Sequence, residues 1–338
     1  MSDDSNFKQK EKILILLHEL YKKKKPINNG FHIFYKLLDS AKDFLSDAEI
    51  RYLLWVFVTN EKALNEARKK NINSSKYLYD KLFENHKKNN YCSLAINISG
   101  FILYPGKAFF YYHCTENYEE AIHLLKDSIY SLNNIKEQGF PEMLLGSIDQ
   151  YINICRVLIK QGKISEGLVE LSRLLQYLFK AESNTKFCNL GDLSCIIKLD
   201  FDERIAMIEY ATDVFIDKCY KSKIDLEDKL NLLKENIGQG LNNNPYFNNY
   251  YGVLDFITND SLDINLADNP DFTSLILDLY ILPNTLQFTF LSKVNTIFQD
   301  TDINNFFMQF SKDKLGLGVL LSQETQTHFY PESPIRSL

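Results

Sequence analysis

Six histidines and six cysteines are the side chains of this 338-residue sequence best suited to metal binding or nucleophilic chemistry. Their spacing supports neither. A zinc hydrolase helix carries His-Glu-x-x-His, which places two ligands on one face, and no such run occurs. One Glu-x-x-His pair exists, Glu120 to His123. A di-iron bundle needs two such pairs and two further carboxylates, and none of His18, His32, His86, His113 or His328 has Glu three residues earlier. His113-Cys114 lies close to Glu116, but a Cys/His nucleophile depends on placement in space, not adjacency in sequence. Gly316-Leu317-Gly318 lacks the third Gly of a dinucleotide loop and the Lys-Ser/Thr of a P-loop. Gly-x-Ser-x-Gly is missing, and residues 255–278 do not fit a calcium loop. The sequence therefore nominates no catalytic residue, no metal ligand and no cofactor.

The cysteines (Cys92, Cys114, Cys155, Cys188, Cys195, Cys219) form no Cys-x-x-Cys pair, and most fall in apolar helical patterns. Buried reduced thiols are the expectation, with disulfides or metal ligands the alternative. The first twelve residues are polar, the longest dense apolar run is Tyr52 to Val58, and no prenylation box ends the chain. A bilayer span needs ~20 apolar residues. A cytoplasmic protein that does not enter membranes is expected. Net charge is −6 but uneven: residues 1–100 hold 18 Lys/Arg against 12 Asp/Glu, and the remainder 20 against 32. A basic face for nucleic acid is one reading of that asymmetry. Lys22 to Lys25, however, close an amphipathic helix, where cations complement the helix dipole. Only Tyr21 and Phe31 lie near them, too few aromatics for a base-stacking surface.

Any site must be positioned by helices. With 45% hydrophobic residues and only 13 Gly and 8 Pro, the composition is globular and poor in tight turns. Apolar residues recur at helical spacing over 7–25, 31–44, 47–70, 75–90, 91–117, 118–136, 141–161 and 164–179. Tyr104-Pro105-Gly106 predicts a kink or a new helix start within the fifth of these. Leu53, Leu54, Trp55, Val56 and Phe57 give the third segment no polar face, the mark of a helix enclosed in an array. Residues 181–195 read as a linker. Helices resume at 202–221, 226–237, 272–282, 284–299 and 302–312. The Asn-rich stretch 240–271 has no assignable pattern, and the last ~25 residues form either a hairpin or a tail. Three regions follow: a basic helical region 1–90, a middle 91–182, and an acidic, irregular helical region 183–338.

The middle region resembles the tetratricopeptide repeat, a helix-turn-helix unit of about 34 residues. Asn117-Tyr118-Glu119-Glu120-Ala121-Ile122 is similar to the turn and second-helix start of that repeat. Placing Ala121 on its small position puts Tyr112 and Leu125 on large ones. Gln161 to Leu168 is similar again, with Gly167 on the small position and Tyr151, Ile154, Cys155, Leu158, Leu171 and Leu174 on core positions. The departures are Phe109 on a small-residue position, Ser128 and Asn133 in place of Ala and Pro, and a separation of 46 residues between the units. The resemblance covers about residues 101–180. It implies an all-α fold of helical hairpins stacked as a solenoid, whose first helices line a concave groove for a peptide or protein. Its groove positions become Phe110 and His113 in the first unit, and Asp149, Arg156 and Lys160 in the second. The alternative reading of each is a solvated polar face.

A non-enzymatic scaffold binding a peptide or protein partner is the leading expectation. A peptide-gated cytoplasmic regulator with residues 1–90 as effector is the second. An all-helical enzyme assembled from distant residues is the third.

Overall fold

The computed structural model describes residues 2–23, 33–180, 201–222, 224–238, 244–259 and 269–313. Among these, the chain forms fourteen α-helices and no strand. The expected linker at 181–195 and the expected C-terminal hairpin or tail lie outside the described residues. Contacts divide the chain into two compact units, one from residues 1–29 and 208–333 and the other from 30–207 and 334–338.

The second of these holds α2 (Ile33–Ala41), α3 (Asp47–Arg68), α4 (Ile72–Lys88), α5 (Ser93–Phe110), α6 (Tyr118–Glu137), α7 (Met143–Lys160) and α8 (Ile164–Lys180). Several of these helices begin or end on local chemistry. Ser46 opens α3 through a reciprocal box with Glu49, and Asn117 opens α6 by accepting the Glu120 N–H. Gly139 and Gly162 take positive φ (107° and 92°) after α6 and α7, a conformation only glycine adopts without strain. With connections this short, consecutive helices pack together, α3 on α4, α5 on α6, α6 on α7 and α7 on α8, and α3 also packs on α5.

Of the two alternatives at Tyr104-Pro105-Gly106, the new helix start is not found: one helix continues, with Pro105 inside α5. The helix then runs into a π-turn over Tyr111–Thr115, closed by Glu116 at φ 55°. The helix enclosed in the array is α7, not α3. Every residue from Met143 to Ile152 is buried between α6 and α8, whereas α3 leaves Leu54 and Val58 40% and 50% exposed. Hydropathy alone misplaced the centre because α7 buries polar Ser147, Asp149 and Gln150.

The α7–α8 approach is close. A methyl group on Gly167 would lie 2.9 Å from the Cys155 carbonyl oxygen and 2.5 Å from Ile159 Cγ1, so the small residue sets the interhelical gap.

The other unit joins α1 (Ser2–Lys22) to most of α9 (Phe201–Lys221), α10 (Leu226–Ile237), α11 (Pro245–Thr258), α12 (Pro270–Asp278), α13 (Asn284–Phe298) and α14 (Thr301–Asp313). Tyr21 packs on Phe306 and Phe310, and its hydroxyl donates to Asp313. Phe256, Phe272 and Phe290 bring α11, α12 and α13 together at ring separations of 4.5 to 5.9 Å. Helix α11 lies inside the stretch that showed no readable pattern. Its signal was Asn244-Pro245: Asn244 Oδ1 accepts the Tyr246 N–H at 2.9 Å, with Pro245 in the first turn. Asn269-Pro270 opens α12 in the same way.

Candidate functional site

Asp149, Asn153, Arg156 and Lys160 recur every three or four residues along α7 and therefore share one face. Arg156 Nη1 donates to Asn153 Oδ1 at 3.2 Å, and Asn153 Nδ2 donates to Asp149 Oδ2 at 3.4 Å. Gln150 Nε2 also donates to that carboxylate oxygen, at 2.9 Å. Buried polar groups survive only with such partners. The stripe becomes progressively wetter: Asp149 is 6% exposed, Arg156 is half-buried and Lys160 is exposed.

The end of α5 supplies the other half. Phe109 stacks on His113 with centroids 4.8 Å apart and meets Tyr112 edge-on at 5.3 Å. The Lys160 ammonium lies 5.4 Å from the Tyr112 ring centroid, within cation–π range. The π-turn over Tyr111–Thr115 at the end of α5 carries both Tyr112 and His113.

Of the five expected groove residues, the structure thus places His113 and Lys160 on one connected surface, joined through Phe109 and Tyr112, with Arg156 one turn from Lys160. The other two need correction as groove-facing side chains. Phe110 is 3% exposed and packs on Tyr79 at 6.0 Å, because an apolar ring at a helix–helix contact gains more by burial than by facing water. Asp149 is buried as well, its carboxylate taken up by Gln150 and Asn153. Tyr112 and Phe109 were legible only as positions of the repeat resemblance, a large one and a departure from a small one. Nothing in their spacing revealed Lys160 as a neighbour, since it comes from another helix.

A second feature lies between α4 and α5. A cleft of about 390 Å³ is lined by Ile72, Lys76, Asp80, Lys107 and Tyr111, with Phe110 in its wall. Lys107 is half-buried, its ammonium 3.9 Å from the Phe83 ring centroid and 5.7 Å from that of Tyr111. Burial pushes its pKa down, against the opposing pull of Asp80 and Glu120. Neighbouring Gly106 gives α5 its close contact with α3 and α4: a methyl group there would lie 2.3 Å from Asn60 Oδ1 and 2.8 Å from the Tyr79 hydroxyl.

The groups suited to catalysis are otherwise engaged. Cys114 donates its thiol to the Ala67 carbonyl at 3.4 Å, and burial raises its pKa despite Lys70 and Lys160 nearby, so the thiolate nucleophile is disfavoured. His123 pairs with Asp127 at 3.2 Å on an exposed face. Burial also raises the Cys155 thiol, and pushes that of Cys219 to about 12; both are free. Cys92 is free but exposed, unlike the buried thiol expected there. Cys188, Cys195, His32, His328 and the Gly316–Gly318 pair lie outside the described residues.

One constellation escaped sequence reasoning. Ser99 Oγ lies 2.6 Å from His86 Nδ1, and His86 Nε2 lies 3.2 Å from the Tyr104 hydroxyl. Because Ser99 also donates to the Ile96 carbonyl at 3.0 Å, the set closes with His86 donating from Nδ1 and accepting at Nε2. It resembles a nucleophile and base, yet Ser99 is fully buried, which leaves no approach for a substrate. Among the described residues no group of three His, Cys, Asp or Glu is placed to hold a metal, and no helix is long and apolar enough to cross a membrane. No family model, curated protein or solved structure matches the chain.

Proposed function

We propose that this protein is a non-enzymatic scaffold, a tetratricopeptide-like stack of helical hairpins that binds an acidic peptide or protein segment along the Arg156–Lys160 face of α7. The observation that carries this reading is Lys160 held against Tyr112, with Arg156 one turn back and His113 on the same aromatic ladder. Two cations at helical spacing beside aromatic rings suit a carboxylate-bearing chain: Arg and Lys take the carboxylates and the rings take the apolar stems. Asp149 serves to orient Asn153, which in turn orients Arg156, and does not itself contact the partner.

The stacked-hairpin part of the proposal is supported by Gly167 at the closest approach of α7 and α8, and by fully buried Ala121 on α6. These are two of the positions the repeat resemblance assigns to small residues. The packing of α3 on both α4 and α5 extends the same pairing one hairpin towards the N-terminus.

The test is recovery of partners from source-cell extract with the full chain as bait, beside Arg156→Glu and Lys160→Glu singly and together. Circular dichroism would establish that each variant is folded. The double variant is expected to lose the partners recovered by the wild type, with loss of at least tenfold. Unchanged recovery with a folded double variant overturns the placement of the surface.

A further inference from the structure

We propose that the α4–α5 cleft is a separate binding site for a small monocarboxylic acid with an apolar or aromatic body, its carboxylate held by Lys107. Three observations converge on this class of ligand. The cleft, at about 390 Å³, falls within the range of small-molecule sites, which combine apolar walls with a few polar anchors. Its walls are Ile72, Phe110 and Tyr111, with Phe83 beneath the Lys107 ammonium. Lys107 itself makes no ion pair: among the described residues no carboxylate lies within 4.0 Å of its nitrogen, although Asp80 and Glu120 are near enough to act on it through space. A half-buried cation whose contacts are aromatic faces lacks the hydrogen-bonding anion that would offset its desolvation. A ligand carboxylate supplies one.

The same geometry selects against other anions. Lys107 and Lys76 share the rim with Asp80, a net single positive charge that one carboxylate neutralises, and inorganic phosphate has no hydrocarbon body to place against the apolar walls. The apolar walls add affinity only for a ligand with a hydrocarbon or ring body, at about 25 cal/mol per Å² buried. The cleft residues are distinct from Arg156 and Lys160, so this site stands or falls independently of the partner surface.

The experiment uses the full chain and N-acetyl-L-phenylalanine as probe, with its primary amide, inorganic phosphate and the peptide acetyl-Ala-Ala-Phe alongside. Calorimetry is expected to show binding of the free acid, weakened at least tenfold in Lys107→Met and in the amide, and unchanged in Arg156→Glu/Lys160→Glu. The wild-type protein gives a second reading that does not depend on a variant folding. Under limiting acetylating reagent, peptide mapping should show Lys107 protected several-fold by the acid and not by amide or phosphate. Tighter binding of the tripeptide than of the single residue identifies a peptide C-terminus as the source of the carboxylate; equal or weaker binding identifies a free acid. No binding, equal protection by the amide, or protection by phosphate overturns the proposal.

Discussion

The Glu49 carboxylate accepts the backbone N–H of Cys92 at 2.7 Å, tying the first turn of α3 to the residue that opens α5. Its other oxygen accepts the Ser46 N–H and the Ser46 hydroxyl, each at 2.8 Å. One side chain thus closes the cap of one helix and secures the start of another 43 residues away. Glu49→Ala should cost roughly 2 kcal/mol and Glu49→Gln about 1, since the amide retains one acceptor. Urea denaturation at neutral pH measures both.

Those hydrogen bonds hold the Glu49 carboxyl at about 2, down from its ordinary 4.5. A carboxylate with a lowered folded pKa binds more protons when unfolded, so its contribution is complete above 4.5 and disappears as pH falls through about 2. The wild type should lose stability relative to Glu49→Gln over that window. Denaturation midpoints at pH 5, 4 and 3 would show the two converging; parallel curves would contradict the cap.

His86 responds to acid earlier. Burial, helped by Lys87, lowers its pKa from 6.5, and its Nε2 is committed to accepting from Tyr104. The unfolded chain therefore takes up the proton first, and stability present above 6.5 declines as pH drops below it. His86→Gln should abolish this component of the slope between pH 7.5 and 5.5, a range in which Glu49 stays ionised.

Gly167→Ala weighs helix propensity against packing. Alanine gains about 1 kcal/mol in a helix interior, while a methyl 2.9 Å from the Cys155 carbonyl forces the backbones apart, at ~1–3 kcal/mol. Net destabilisation is expected, larger for Gly167→Val. A stabilised Gly167→Ala would mean that α7 and α8 do not approach this closely.

Arg204 closes the C-terminal end of α8. Its Nε donates to the Leu178 carbonyl at 2.5 Å and its Nη2 to the Phe179 carbonyl at 2.7 Å, satisfying acceptors left over at a helix terminus. Arg204→Ala should cost ~2 kcal/mol. Arg204→Lys should recover less than half, because an ammonium lacks the planar fork that spans two carbonyls. Thermal unfolding of the two variants separates charge from geometry.

Local rules carried the sequence reading far along the chain. Ser46 with Glu49, Gly139, Gly162 and the 3.6-residue stripes are satisfied within a few residues of themselves, so they are visible without any knowledge of neighbours. The same holds for Arg156 and Lys160, whose common face follows from spacing on one helix. Asn244 and Asn269 were legible in principle, but Asn is both a turn former and a helix cap, and only the following Pro tips the balance.

What the chain determines alone is therefore its helices: periodicity, caps and breakers act over one or two turns, and their energies need no partner helix. Which face of a helix meets water is decided by packing. Leu54 and Val58 remain exposed although α3 packs on α4 and α5, and Asp149 is buried although it is charged, between α6 and α8. Phe110 turns into the protein while Lys160 reaches Tyr112. These pairings join residues tens of positions apart, and only the folded arrangement of α4, α5 and α7 brings them within reach.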